Sequence, residues 1–158
     1  MVDKVILPKS ISKELSRRAR EVGVSVEEYL ADLLIQDPDP SERVKKYAEA
    51  SLELLEQAKE ELEKGDLRQA SEKIWGATSL IIKAYALAKT GKRLASHGEL
   101  WEYSEEIAKE FGDWVLVTFQ QANSMHINFY EGWATEKHIR KALEAVEKLV
   151  KTLAEKLH

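Results

Sequence analysis

The segment HINFYEGW, residues 126–133, concentrates side chains that transfer protons or hold ligands. His126 offers an imidazole ring, a common general acid or base, and Tyr130 offers a ring and a hydroxyl group one helical turn later, so the pair suits acid–base chemistry or stacking. Helical spacing predicts three side chains on the apolar stripe of one helix: His126, Tyr130 and Trp133. Asn128 and Glu131 are expected to turn away from that stripe. A core histidine with a hydrogen-bond partner is the commoner arrangement, so a structural and a functional interpretation both stay open.

A second group of candidates lies in TGKRLASHGEL, residues 90–100. Lys92 and Arg93 come shortly before Ser96, which is expected to cap a helix whose first residue is His97. Free backbone N–H groups, the positive end of the helix dipole and the nearby cations all favour an anion here. The same dipole is expected to keep His97 neutral, which suits a general base. A solvated loop with an ordinary helix cap is the alternative.

The two histidines define a candidate site if they converge on one cleft. His97 and His126 would then share the acid and base roles of a reaction at phosphate, and both are candidate catalytic residues. The candidate residues for binding a phosphate or nucleotide are Lys92, Arg93, Ser96 and Tyr130. No metal site or cofactor is expected, because the chain has no cysteine, no histidine or carboxylate follows His126 at i+4, and no glycine-rich phosphate loop is present.

The elements that must position these residues are helices. After residue 40, apolar side chains recur at helical spacing and no strand is indicated. The predicted helices cover residues 41–64, 67–89, 96–111, 112–131 and 136–157. Short connections favour antiparallel neighbours. The expected fold is therefore all-α, an antiparallel bundle of about five helices, preceded by a small strand–helix–helix element.

That small element occupies the first 37 residues, and the bundle is expected over 38–158, because the prolines of DPDP at 37–40 break the chain between them. DKVILP predicts a strand closed by Pro8, and two helices follow. This order resembles the ribbon-helix-helix DNA-binding fold, whose members dimerise by pairing strands that enter the major groove. Residues 1–36 carry six Lys or Arg and six Asp or Glu, and the outward strand residues Val2, Lys4 and Ile6 offer few groups to base edges. A dimerisation or docking role is expected, with DNA binding as the alternative.

The helical part resembles the archaeal PaREP family, which is placed among HEPN-like helical bundles. The resemblance covers roughly residues 41–158 and rests on the helix after GDL, the SHxxL start at 96–100 and the HxNFYE run at 126–131. It implies a dimeric helical bundle. HEPN proteins include RNases of toxin systems and nucleotide-binding partners of nucleotidyltransferases, and the RNases carry an Arg, four to six residues, then a His. Here only three residues separate Arg93 from His97, and QQANSM before His126 contains no Arg, so that signature does not transfer.

Composition narrows the remaining classes of function. The net charge of −4 argues against coating of nucleic acid, and no apolar run approaches the roughly 18 residues that span a bilayer. The N-terminus lacks the apolar region of a signal peptide, so a cytoplasmic protein without membrane contact is expected. We expect a homodimer that binds a nucleotide, RNA or another partner without catalysis. The alternatives are a metal-independent RNase of toxin–antitoxin type using His97 and His126, and a DNA-binding regulator acting through the N-terminal element.

Overall fold

The computed structural model describes residues 4–157, and within that range the chain forms seven helices and no strand. They are α1 (Lys9–Val22), α2 (Val26–Leu34), α3 (Pro40–Lys64), α4 (Leu67–Thr90), α5 (His97–Phe111), α6 (Trp114–Glu131) and α7 (Glu136–Glu155). The all-α class is confirmed. The expected arrangement of about five helices behind a strand–helix–helix element is wrong, because seven helices form without the strand. None of the helices described is long and apolar enough to cross a membrane.

The strand expected over DKVILP does not form in its described part. Residues 4–8 have no regular secondary structure, and the side chains of Val5 and Ile6 are 78% and 95% exposed. A single strand leaves its N–H and C=O groups without partners, and no other strand exists between residues 4 and 157 to pair with it. Pro8 becomes the N-cap residue of α1 instead. Asp3 and Val2 lie outside the described residues.

The boundaries of the later helices follow local signals in the sequence. Asp39, Asp66 and Ser96 each accept a hydrogen bond from a backbone N–H in the first turn of α3, α4 and α5, at 2.9, 3.0 and 3.1 Å. Caps of this kind stabilise a helix by about 1 kcal/mol. Gly65 and Gly132 end α3 and α6 with φ angles of 82° and 69°, a conformation in which a Cβ atom is disfavoured. The caps and glycines thereby determine where each helix begins and ends, and so where its side chains lie.

The central element is α4, which packs against α3, α5, α6 and α7. Nearly every residue from Ala70 to Leu87 is buried, as expected for a helix enclosed by others. Small residues let neighbouring helices approach closely. A Cβ atom built on Gly76 would lie 3.0 Å from Cδ1 of Leu54 and 3.4 Å from Oγ of Ser25. The neighbouring helices therefore pack closely against α4.

Buried charges attach α2 to α4. Nζ of Lys83 lies 2.7 Å from Oδ2 of Asp32 and 3.1 Å from Oε1 of Glu28, and the side chains of Lys83 and Glu28 are almost completely buried. The hydroxyl group of Tyr47 on α3 donates a hydrogen bond to Asp32 at 2.8 Å. Burial raises the pKa of Glu28, and the charge of Lys83 acts in the opposite direction. Thus α2 packs on the helices that follow it, and the division at residues 37 and 38 stays a prediction.

Candidate functional site

The structure brings His97 and His126 together around the ring of Trp75. The centroids of the two imidazole rings are 6.4 Å apart. The indole ring of Trp75 lies 5.3 Å from His97 and 5.4 Å from His126. Trp75 is fully buried on α4, so the first residue of α5 and the second half of α6 meet at one side chain of the central helix. The two imidazole rings therefore lie close together, and their action on one phosphate stays a prediction.

A buried carboxylate holds His126. Oε1 of Glu72 on α4 lies 2.8 Å from Nδ1 of the imidazole ring, while Oε2 accepts no hydrogen bond from any residue in the described range. Burial raises the pKa of the Glu72 carboxyl, and the hydrogen bond with His126 lowers it. When a carboxylate accepts from Nδ1–H of a neutral histidine, the ring is oriented and Nε2 is left as the acceptor. Glu72 and His126 therefore form a positioned acid–base pair.

His97 is the first residue of α5, as predicted, and its pKa is lowered. Burial is the main cause, the charge of His126 acts in the same direction, and Asn123 opposes both. The direction agrees with the expected neutral ring, although the main cause is burial beside Trp75 and not the helix dipole. Nδ1 of His97 is itself buried and has no hydrogen-bond partner among the described side chains and backbone groups. One ring nitrogen of His97 is therefore enclosed by the fold.

The basic loop is used mainly in structural contacts. Nη2 of Arg93 donates to the backbone oxygen of Asp32 at 2.8 Å, and Nη1 lies 3.5 Å from Oε1 of Gln36, so its guanidinium group reaches α2. Oγ of Ser96 accepts from the first turn of α5. Lys92 is exposed, and its side chain makes no hydrogen bond or ion pair within residues 4–157. Phosphate binding by these three residues stays a prediction.

A cleft of about 1000 Å³ opens between α1, the start of α4 and the end of α6. Glu72 lines it, and so do the aromatic side chains of Phe129 and Tyr130. The ring of Tyr130 lies 5.6 Å from the ring of His126, centroid to centroid. The cleft therefore reaches Glu72, the partner of His126, and is bordered by the predicted site residue Tyr130.

Two arginines in this cleft have no acidic partner within the described chain. Cζ of Arg20, on α1, lies 4.8 Å from the centroid of the Tyr130 ring. The guanidinium group of Arg68, on α4, lies against Gly132, where a built Cβ atom would come within 2.5 Å of Nη2. The acids that line the cleft are engaged elsewhere: Glu21 with Arg17, Glu27 with Lys73, Asp66 with the first turn of α4, and Glu72 with His126. The two unpaired guanidinium groups make this cleft favourable for an anion.

Several expectations within HINFYEGW are wrong. Asn128 is 1% exposed; it donates to Oγ of Ser71 at 2.8 Å and accepts from the N–H of Ala134 at 2.7 Å, so it joins α4 to the chain after α6. Tyr130 and Trp133 are 37% and 49% exposed and do not face the core. The helical stripe fails for Trp133 because α6 ends before it, and for Tyr130 because the last turn of α6 borders the cleft.

The family comparison agrees with the resemblance seen in the sequence. A model of the archaeal PaREP1/PaREP8 family matches residues 46–150, about two thirds of the chain. The chain belongs to the archaeal PaREP1/PaREP8 family. Neither a curated protein nor a solved structure matches it. The matched range of this PaREP1/PaREP8 protein contains Glu72, Trp75 and both histidines, whereas α1 with Arg20 precedes it. The HEPN-like and ribbon-helix-helix resemblances stay predictions.

Three residues of the cleft in this PaREP1/PaREP8 protein are missed as candidates by the sequence. Glu72 carries a usable signal, because it is an acid within a helix whose other positions are mostly apolar or small. Arg20 and Arg68 carry no such signal, since the sequence does not distinguish an arginine with an acidic partner from one without. Within residues 4–157, no group of three or more His, Cys, Asp or Glu side chains is placed to hold a metal ion.

Proposed function

We propose that the protein binds a nucleotide or an RNA end, without catalysis, in the cleft between α1, α4 and α6. The observation that carries the proposal is the pair of guanidinium groups, Arg20 and Arg68, that lack an acidic partner in the described chain and border the same cleft as Tyr130. Small-molecule pockets in proteins measure about 300–1,000 Å³, and the cleft is at the upper end of this range. A mononucleotide fits a cleft of that size.

The chemistry of the lining supports a ligand with both an anionic and an aromatic part. Guanidinium groups donate two parallel hydrogen bonds to phosphate oxygens, and these charge-assisted bonds are stronger than neutral ones. Phe129 and Tyr130 line the cleft with aromatic rings, and stacking of a base on such a ring contributes about 1–3 kcal/mol. Arginines on α1 and α4 border the same cleft, so a phosphate bound there has guanidinium groups available on two helices.

The position of the histidines supports binding without catalysis. Neither His97 nor His126 is among the residues that line the cleft, and Nδ1 of His97 is buried. Nδ1 of His126 is engaged with Glu72. A phosphate held by Arg20 and Arg68 in this cleft is therefore not in contact with the two imidazole rings. The adjacency of the histidines is then a feature of packing around Trp75.

The test is a titration of a fluorescently labelled short single-stranded RNA, and of AMP as competitor, at low and moderate salt. We expect Arg68→Ala and Arg20→Ala each to weaken binding about tenfold, which corresponds to about 1.4 kcal/mol. The matched control is Arg140→Ala, an exposed arginine on α7 whose ion pair with Glu136 contributes little. Binding that is absent in the wild type, or equally weakened in all three variants, would reject the cleft as the site.

A metal-independent RNase is the second candidate, supported by the 6.4 Å between the rings of His97 and His126 and by the carboxylate that orients His126. Two histidines near one phosphate divide the acid and base roles without a metal. The test is incubation of wild type, His97→Ala and His126→Ala with an RNA ladder in EDTA. Cleavage above background by the wild type alone supports catalysis, and equal background cleavage by all three removes this candidate.

The homodimer expected from the sequence belongs to the same proposal. Its support is the apolar segment before α1, where Val5 and Ile6 are exposed in the single chain. Binding of DNA by this element has no added support, because the strand that would enter the groove is not formed within the described residues. Light scattering of wild type and of a Val5→Lys/Ile6→Lys variant tests the assembly. A dimer that is lost only in the variant is the expected result.

A further inference from the structure

We propose that the cleft selects guanine nucleotides, with the carboxylate of Glu72 accepting from the N1–H and the 2-amino group of the base. The inference rests on the proposed nucleotide binding and names the ligand of that site. Its starting observation is a carboxylate that is buried, lines the cleft and makes a hydrogen bond through only one of its two oxygens to a described residue. Such a group favours any ligand that brings further donors.

The number of acceptor positions on Glu72 determines what it selects. An ionised carboxylate has two oxygens with about four lone-pair positions, and His126 occupies one of them on Oε1. Oε2 accepts from no described residue, and Oε1 retains a second position. Two adjacent donors in the plane of a base would therefore bond to both oxygens, as a guanidinium group does. Guanine is the common base that presents two adjacent N–H donors on one edge.

The other bases match this carboxylate less well. Adenine and cytosine each place an amino group beside a ring nitrogen that accepts, and that acceptor would face a carboxylate oxygen. Uracil and hypoxanthine each have one ring N–H, with a carbonyl oxygen beside it, and no amino group. Each of these bases leaves an acceptor opposite an acceptor or leaves one oxygen of Glu72 without a donor, which costs free energy at a carboxylate that is almost completely buried.

The order of side chains along the cleft fits a single nucleotide orientation. Glu72 contacts His126, the His126 ring lies 5.6 Å from Tyr130, and Cζ of Arg20 lies 4.8 Å from the Tyr130 ring. The base would lie at the Glu72 end against the aromatic side chains, and the phosphate at the arginine end. Repulsion between phosphate and the Glu72 carboxylate disfavours the reverse orientation.

A second observation distinguishes the Glu72 end of the cleft from the arginine end. Arg68 and Glu72 are four residues apart on α4, a spacing at which opposite charges commonly pair. They do not pair here: Glu72 turns to His126, and Arg68 lies against Gly132 at the end of α6. Gly132 makes room for the guanidinium group because it has no Cβ atom. The segment HINFYEGW thus contributes to both ends, with His126 at one and Gly132 at the other.

The experiment is calorimetric titration of the wild-type protein with GMP, IMP and AMP, which differ mainly in the donors of the base. We expect GMP to bind about tenfold or more tightly than IMP, which lacks only the 2-amino group, since hydrogen bonds to charged groups are individually strong. AMP is expected to bind no better than IMP. Equal affinities for the three overturn the selection by Glu72 and leave nucleotide binding intact. Absence of binding by all three overturns both proposals.

The matched variant is Glu72→Gln, which keeps the size of the side chain and replaces one acceptor by a donor. We expect GMP to lose its advantage over AMP while the affinity for AMP changes less than threefold, because the arginine end is unaltered. Glu102→Gln, an exposed position on α5 with the same change of charge, is the control and should retain the preference. A preference for GMP that persists in Glu72→Gln contradicts the assignment. The wild-type series decides the question if this variant fails to fold.

Discussion

Two buried carboxylates, Glu28 on α2 and Glu72 on α4, differ in their surroundings. Burial raises the pKa of both. Glu28 is enclosed between α2 and α4, beside Lys83 and Asp32, and all of its neighbours belong to the protein. Glu72 has one protein partner, His126, and lines an open cleft. A buried acid is therefore available to a ligand only where part of it lines a cleft, and otherwise it joins helices.

The largest effect is expected from Lys83→Met, which removes the cation shared by Glu28 and Asp32. Breaking a buried ion pair by deleting one partner typically costs about 3–5 kcal/mol, because the remaining charge is left without compensation. We expect a loss of this size in the free energy of unfolding, measured by urea denaturation with circular dichroism. Lys109→Met, at an exposed pair on α5, is the control and should change stability by less than about 1 kcal/mol.

Lys83→Met also tests whether the surroundings of Glu28 affect the cleft lined by Glu72. Nucleotide affinity should be kept under conditions where the variant remains folded, because Lys83 does not line the cleft. A stability loss below about 1 kcal/mol would show that the Glu28 region is not the attachment of α2 that its geometry indicates. A loss of nucleotide binding in the folded variant would show that the two regions act together, since α2 connects α1 to the remaining helices.

The difference between the two regions also explains what the sequence was able to predict. Helix positions from residue 40 onward follow from caps such as Asp66 and Ser96 and from apolar spacing, which are local signals. The strand over residues 4–8 was wrong because pairing depends on a partner that local sequence does not reveal. His97 and His126 were found because histidines are few, and the structure places them together.

The two arginines of the cleft, Arg20 and Arg68, could not be predicted, since their roles depend on which charges stay unpaired after folding. Arg93 looked available but donates to α2, whereas Arg20 and Arg68 looked ordinary and have no acidic partner in the described chain. The sequence predicts an exposed Asn128, because the apolar stripe of α6 accounts for only one of its buried faces. It is buried by a second contact, with Ser71 and the chain after the helix.

A smaller loss of stability is expected from Gly132→Ala, which alters the cleft at Arg68 and leaves the surroundings of Glu28 unchanged. Gly132 has φ of 69°, and an added Cβ atom would come within 2.5 Å of Nη2 of Arg68. Alanine costs about 1 kcal/mol in this conformation, and the flexible arginine side chain must move away. We expect that loss in the free energy of unfolding together with weaker nucleotide binding. Gly65→Ala has a similar φ of 82° without any contact to its added Cβ, so it should lose stability and keep affinity.

The smallest effect concerns pH and distinguishes His97 from both carboxylates. The folded pKa of His97 lies below its ordinary value of 6.5, so between these two pH values the unfolded chain binds more protons than the folded one. Stability is therefore complete above pH 6.5 and is lost as the pH falls toward the folded pKa of His97. For Glu28 and Glu72 the folded pKa is raised above 4.5. Their contribution to the free energy of unfolding is therefore present below pH 4.5 and is lost as the pH rises. Between pH 7 and pH 5.5 we expect the urea midpoint to fall more, or to rise less, in the wild type than in His97→Asn, because Glu28 and Glu72 act equally in both proteins. Equal slopes in the two proteins would mean that the ring of His97 is not shielded by Trp75, and would reopen His97 as an accessible base.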